Sequence, residues 1–351
     1  MSATTTAPTG AAGPDERLAS SGRVTRILRR PEIGALVAAI VVMAFFSIEA
    51  STFMTTAGAP TWLASASLFG IMAVAVALLM IGGEFDLSAG TMTGTTGLFV
   101  GIVTTHWGMN IWLAVVLALV LALAIGALNG ILVNKTGLPS FIVTLGTFFV
   151  LQGVNLAVTK LIIGQVAVQG VRDVPGYYDL TNYFGSTFNF LGLELQISVM
   201  WWVIVTIIAT WVLMRTRAGN WIFAVGGAPA SARQVGVPVA STKVGLFMTT
   251  AAAGWLVGML SLFQTGTAQA TTGVGDEFVY IICAVVGGCL MTGGFGSAVG
   301  AALGALIYGM TFQGIVYSGW DSNWLKAFLG VMLLGAVLIN NWVRKRAEVA
   351  R

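Results

Sequence analysis

Gly82-Gly83-Glu84-Phe85-Asp86-Leu87-Ser88-Ala89-Gly90 sets two carboxylates between two long apolar runs, residues 62–81 before it and 91–105 after it. Lipid hydrocarbon offers a carboxylate no partner, so acids in such a place face protein, water or the membrane surface. The paired glycines allow a sharp turn or a close approach to another helix. Asp86 or Ser88 can then cap the next helix, because a short oxygen side chain satisfies the free N–H groups at its start. Two readings follow. One is a capped turn between two spans, which physics alone favours; the other is a broken helix that reaches into a transport path.

The composition around this stretch fixes the class. Of 351 residues, 57% are hydrophobic and 9% charged, with mean hydropathy +0.89. Ordinary soluble domains carry about a quarter charged residues, and a water-soluble fold of this composition would leave large apolar patches exposed. The apolar runs are continuous, without the alternation of a transmembrane barrel. The expected class is an all-α polytopic membrane protein. Its 45 glycines suit helices that pack closely in lipid. A net charge of +4 gives no case for nucleic acid, because the basic residues sit near span ends. Cys283 and Cys289 lie within one apolar run and read as small buried hydrophobes. His106, the sole histidine, has no metal or triad constellation around it.

About ten transmembrane helices are expected, at residues 33–51, 62–81, 88–105, 111–133, 140–158, 196–214, 244–263, 279–290, 297–315 and 324–343. Most approach the roughly 20 residues that cross a bilayer; 279–290 looks short. Residues 1–30 read as a disordered cytoplasmic tail, 31–343 as the transmembrane domain and 344–351 as a basic cytoplasmic tail. Residues 215–243 form a basic loop without an acid, with a short helix opened by Pro229. Residues 160–194 read as an ordered surface loop. Trp201 and Trp202 read as interface-belt aromatics. Of the 17 basic residues, only Lys160, Arg172 and Lys326 fall in loops on one side, which puts both termini in the cytoplasm. The outer loops then hold Glu49, Asp173, Asp179, Glu194, Asp276, Glu277 and Asp321. Gly83-Glu84-Phe85 and Asp276-Glu277-Phe278 each stand between the first two spans of a four-span group. An inverted repeat would place them so; chance does so as readily.

Residues 82–90 resemble the Gly-Gly-Ile-Asp-Leu-Ser-Val-Gly signature of permease subunits from ribose-type carbohydrate ABC importers. The resemblance continues through Pro139-Ser140-Phe141-Ile142-Val143-Thr144-Leu145-Gly146. It extends to Val225-Gly226-Gly227 with Ala230-Ser231-Ala232-Arg233-Gln234-Val235-Gly236-Val237, similar to that family's cytoplasmic loop. It ends at Gly273-Val274-Gly275-Asp276-Glu277 and at Val286-Gly287-Gly288 with Gly293-Gly294-Phe295-Gly296-Ser297. These segments lie in family order between about residues 62 and 342.

The resemblance implies a type II-like ABC importer permease in a bacterial cytoplasmic (inner) membrane. Such a subunit pairs with a second copy of itself, is driven by a separate sugar ABC ATPase subunit, and receives a monosaccharide from a periplasmic or lipid-anchored binding protein. Membrane lipid surrounds it, and it binds no cofactor, since ATP belongs to the partner. No phosphate-binding Gly-Lys-Ser/Thr loop occurs in the sequence, in keeping with that division. Gly226, Gly227, Ala232, Arg233 and Gly236 are the expected ATPase-coupling residues, although Arg233 alone would read as a positive-inside anchor. Glu84, Ala228, Val279 and Tyr280 depart from the family pattern, and a Glu at 84 resembles xylose-, fructose- and inositol-like members.

Candidates for the substrate path are Glu84, Asp86 and Ser88 in the acidic break, with Phe141 and Thr144. Gln152 and Asn155, three apart on one helical face, either bond between helices or line a path; Phe312 and Gln313 carry the same ambiguity. Asp86 is expected to cap a helix beginning near Leu87, and Glu84 to accept hydrogen bonds from sugar hydroxyls. Asp276 and Glu277 are candidates for docking the binding protein. The alternatives are a secondary transporter with its own ion coupling, which should show more buried charge, and an ABC permease for a nucleoside or signalling molecule.

Overall fold

The fold is seen in a computed structural model that describes residues 31–349. The expected tail at 1–30 lies outside the described residues. A helix stands at each expected span: α1 (Pro31–Glu49), α2 (Gly58–Ile81), α3 (Ala89–Thr105), α4 (Ile111–Thr136), α5 (Ser140–Ile163), and, after a short surface helix α6 (Tyr177–Phe184), α7 (Ile197–Arg215). Two small helices, α8 (Arg217–Gly227) and α9 (Pro229–Gln234), precede α10 (Val239–Thr265), α11 (Asp276–Val286), α12 (Ala298–Tyr317) and α13 (Trp324–Val349). Seven are long and apolar enough to cross a membrane: α1, α2, α4, α5, α7, α10 and α12. Helix α3 has 17 residues and α11 only 11, and the apolar part of α13 is Trp324–Leu338. The chain expected to leave the bundle as a tail after residue 343 continues the α13 helix to Val349.

Lys135, Arg215, Arg217, Arg233 and Lys243 gather at one end of the bundle, in or beside the termini of α4, α7, α8, α9 and α10; this is the basic end. At the other end, residues 164–196 are ordered, as expected. They hold strand β1 (Ala167–Val168), a 3-10 turn (Val171–Asp173), α6, and the antiparallel hairpin of β2 (Thr187–Phe190) and β3 (Leu193–Gln196), with Thr187 opposite Gln196. Tyr177 donates to the carbonyl of Phe263 (2.8 Å), which seats α6 on the last turn of α10; this is the hairpin end.

Helices α2 and α10 form the centre: most of each is buried, whereas α5 lies largely exposed. With no water to expel from between apolar helices in lipid, close backbone approach supplies the packing. Gly126 and Gly130 on α4 admit Val244, Phe247 and Ala251 of α10, and Gly309 on α12 admits Trp62 and Ala66 of α2. Helix α2 thus lies along α12 as α10 lies along α4, while α3 meets α5 as α11 meets α13. That is the pairing of two four-helix groups related by inversion.

The two groups differ at their breaks. After α10 the chain turns at Gly266, and strand β4 (Ala268–Gln269) pairs antiparallel with β1. It then descends beside α3: Ala268 lies by Gly101, Thr272 by Gly94 and Gly273 by Gly90. Gly90 and Gly101 are 11 residues apart on α3, a rise of about 16 Å. Helix α11 therefore starts deep inside the bundle. The polar stretch around Asp276 and Glu277, expected as an outer loop, is re-entrant. Polar groups can follow such a path because β1, the Val166 carbonyl and turn bonds within 269–276 supply partners for the backbone, while the glycines of α3 leave it room.

Candidate functional site: the acidic break and the glycine junction

Helix α2 ends on paired glycines. Gly83 has φ +84°, its N–H donates to Met80 (2.9 Å), and the N–H of Glu84 reaches back to Leu79 (3.1 Å). These two bonds are a Schellman close, which needs the left-handed residue that glycine supplies. The next residues are handed to α5: Phe85 N–H donates to Ser140 Oγ and Leu87 N–H to Thr144 Oγ1, each at 3.0 Å.

Glu84 is 7% exposed and pairs with Lys243, the fifth residue of α10, in the one ion pair among the described residues. The expected free carboxylate is therefore partnered at the basic end. Asp86, 3% exposed, accepts from the backbone N–H (2.9 Å) and the hydroxyl (2.6 Å) of Ser88. The bond to the Ser88 N–H is the one expected of Asp86, but the helix starts later than Leu87. The helix begins at Ala89, and its cap residue Ser88 makes no side-chain cap bond; Asp86 instead folds the loop before it, as Asx side chains do. Ser88 in turn accepts from Asn129 Nδ2 (3.0 Å), and Asn129 Oδ1 accepts from Thr147 (2.6 Å). A continuous polar chain thus crosses from the break through α4 to α5.

The remaining path candidates divide. Thr144 is fully buried and donates to Ser140 while receiving Leu87, so it holds the break. Asn155 donates to Thr95 on α3 (3.1 Å) and Gln313 to Ser65 on α2 (3.3 Å); both bond between helices. Phe141 is 49% exposed on the outer face of α5, Gln152 is half-buried, and Phe312 stacks on Tyr308.

At the coupling segment, Gly226 near the end of α8 lies against the carbonyl of Ile81, so closely that a Cβ would overlap it. Gly294 N–H donates to that same carbonyl (2.8 Å). A Cβ on Gly293 would stand 2.8 Å from both the Gly226 oxygen and the Gly83 Cα, and Gly227 faces Gly294. Three Gly-Gly pairs from distant segments therefore meet backbone to backbone. Beyond them α9 buries Ala232, exposes Arg233 and closes at Gly236 (φ +84°).

Two further expectations are corrected. Glu277 is 2% exposed; its carboxylate lies against Gly90 and accepts from Gly275 N–H (3.0 Å). It offers no outer surface to a docking partner, and Asp276 beside it is half-buried. Trp202 belongs to the core, against Gly70 of α2, while Trp201 donates to the Tyr183 carbonyl (2.9 Å). Asn129 and Thr147 escaped the sequence reading, and Ser140 entered it only within the family-like segment 139–146. The available signal was Asn129 alone in an apolar span, flanked by Gly126 and Gly130.

Compared with known proteins, residues 58–337 match the family described as branched-chain amino acid transport system / permease component. The chain is 32% identical to the ribose import permease protein RbsC of Escherichia coli K12 over 309 residues, 88% of this chain and 92% of that one. It is 28% identical to the fructose import permease protein FrcC of Rhizobium meliloti, covering 89% and 85% of the two chains. Identity is also 28% to the xylose/arabinose import permease protein XylH of Sulfolobus acidocaldarius, covering 93% and 88%. No solved structure matches.

Proposed function

The chain belongs to the branched-chain amino acid transport system permease family, and from that premise we propose that it is the membrane subunit of an ATP-driven importer for a monosaccharide or sugar-like polyol. The carrying observation is the near full-length likeness to import permeases named for ribose, fructose and xylose/arabinose. ATP binding and hydrolysis belong to a separate ATPase chain, a binding protein delivers the sugar, and a second copy of this subunit completes the channel. The basic end faces the cytoplasm.

Two features support the coupling role. Helix α9 is short, begins at Pro229 and presents Arg233, a residue suited to an acidic or carbonyl-lined cleft. The glycine junction behind it touches the end of α2 and the Gly293–Gly294 loop between α11 and α12 directly. The binding protein then docks at the hairpin end, where Glu49, Asp173, Asp179, Glu194 and Asp321 are exposed. Glu84 bears on the alternative of ion coupling: its charge is engaged by Lys243, which leaves Asp86 as the unpaired acid of the break.

The test is reconstitution. This chain alone in vesicles should move no sugar; adding the ATPase, binding protein and ATP should give directional uptake. Arg233→Glu should lower stimulated ATP hydrolysis and uptake while the protein still inserts. Uptake by the lone chain driven by an ion gradient would overturn the proposal. Cysteines at Arg233 and Ser322 should label from opposite faces, with Arg233→Cys reached from the cytoplasm.

A further inference from the structure

Helix α7 carries a groove along its outer side. The groove has a volume of roughly 340 Å³ and runs from Thr206 past Thr210, Trp211 and Met214 to Arg215, with Val299 of α12 as its opposite wall. The two threonines do not make it polar. Thr206 donates to the carbonyl of Trp202 and Thr210 to that of Thr206, each at 2.7 Å, so both hydroxyls are turned into the helix. The wall is oily along its whole length, and a cation stands at its basic end.

The position of that cation is fixed by the next residue. Thr216 donates to Val212 (2.7 Å) and accepts from Gly219 N–H (3.3 Å), so the backbone leaves the α7 axis directly after Arg215. Arg215 is exposed and forms no ion pair among the described residues. Nine residues separate Thr206 from Arg215, a rise of about 14 Å. Half of a hydrocarbon core of about 30 Å is about 15 Å. The groove therefore has about the length of one leaflet, and in a bilayer Arg215 would stand at the level of the phosphates, with Trp211, 59% exposed, one turn deeper.

We propose that this groove is a binding site for one anionic phospholipid of the basic-end leaflet, an acyl chain lying between α7 and α12 and the phosphate on Arg215. A zwitterionic lipid fills the same groove but brings its own cation to Arg215, so charge selects the occupant. An arginine that only complemented the carboxyl end of the α7 dipole would leave lipid choice unaffected.

The full chain is purified in detergent and given equimolar phosphatidylglycerol and phosphatidylcholine with identical chains. Native mass spectrometry then reads which lipid is retained last. The wild-type chain should keep one phosphatidylglycerol with about fivefold preference, the factor that corresponds to about 1 kcal/mol for a cation at an anionic surface. Arg215→Ser should bring the ratio to about one, and Arg215→Lys should keep most of it. Thr210→Trp, which fills the groove and spares the charge, should release the lipid; Val299→Phe is the second variant if that one fails to fold. Glycerol phosphate without chains should displace nothing. Equal retention of both lipids by the wild-type chain overturns the site, as does an unchanged preference in Arg215→Ser. Displacement by glycerol phosphate makes it a soluble-phosphate site, which also overturns it. The same holds if Arg215→Ser loses ATPase assembly while its lipid preference stands.

Discussion

Lys243 near the start of α10 holds the carboxylate of Glu84 in the break after α2. The pair ties the first helix of one four-helix group to the first helix of the other, at the basic end, beside the backbone of Gly83. Lys243 is 19% exposed at its side chain and Glu84 9%, so water screens the pair only in part. Removing one charge leaves the other with poor solvation, whereas removing both spares that penalty.

Glu84→Gln should therefore lower stability by about 1–3 kcal/mol, and Lys243→Met should do about the same. The double variant should lose clearly less than the sum. Thermal melts of the four proteins in detergent form the cycle; additive losses would mean that the two side chains do not act on each other.

Asn129 is fully buried and serves both Ser88 and Thr147. Asn129→Leu leaves the Thr147 hydroxyl only the longer bond to the Val143 carbonyl (3.3 Å) and removes a donor from Ser88, at a cost of about 1–3 kcal/mol. The melting temperature should fall, and proteolysis should reach the 137–140 connection sooner, because α5 loses one of its ties to α4. An unchanged melt would show that water replaces the amide.

Gly226→Ala and Gly146→Ala should part company. The first drives a methyl group into the Ile81 carbonyl, whereas a methyl on Gly146 meets nothing within 4 Å. Gly226→Ala should reduce folded yield or uncouple ATP hydrolysis from uptake. Gly146→Ala should be neutral or stabilising by up to about 1 kcal/mol, since alanine favours the helix. Equal behaviour of the two would remove the packing argument.

Glu277→Cys should resist a membrane-impermeant thiol reagent applied from the hairpin end, while Asp179→Cys reacts readily, as their burial and exposure require. Rapid labelling at 277 would return this acid to the outer surface.

The spans were legible because an apolar run of about 20 residues has few folded alternatives. Residues 82–90 announced a break, since two glycines and two acids cannot continue a lipid-facing helix. The roles of those acids were not legible. Lys243 lies far along the chain from Glu84, and only the approach of α10 to α2 brings them together. Asp86 looked like a cap because its spacing suits one, and it does take the Ser88 N–H, but the helix starts only at Ala89. The re-entrant course of 266–275 was hidden for a similar reason. A polar extended segment reads as an outer loop unless one knows that Gly90 and Gly94 of α3 leave room for its backbone.

The glycine junction carries a consequence for how this subunit can change. A joint of bare backbone has no rotamers, so it can neither absorb a displacement nor be refitted by exchanging one side chain for another. Motion imposed on α8 and α9 would reach the end of α2 and the loop between α11 and α12 as a rigid shift, like a hinge pin turning two leaves. Adaptation to a different ATPase or a different solute must then proceed at the parts the pin connects, on the surface of α9 or along the walls of the bundle, while the pin itself stays as it is.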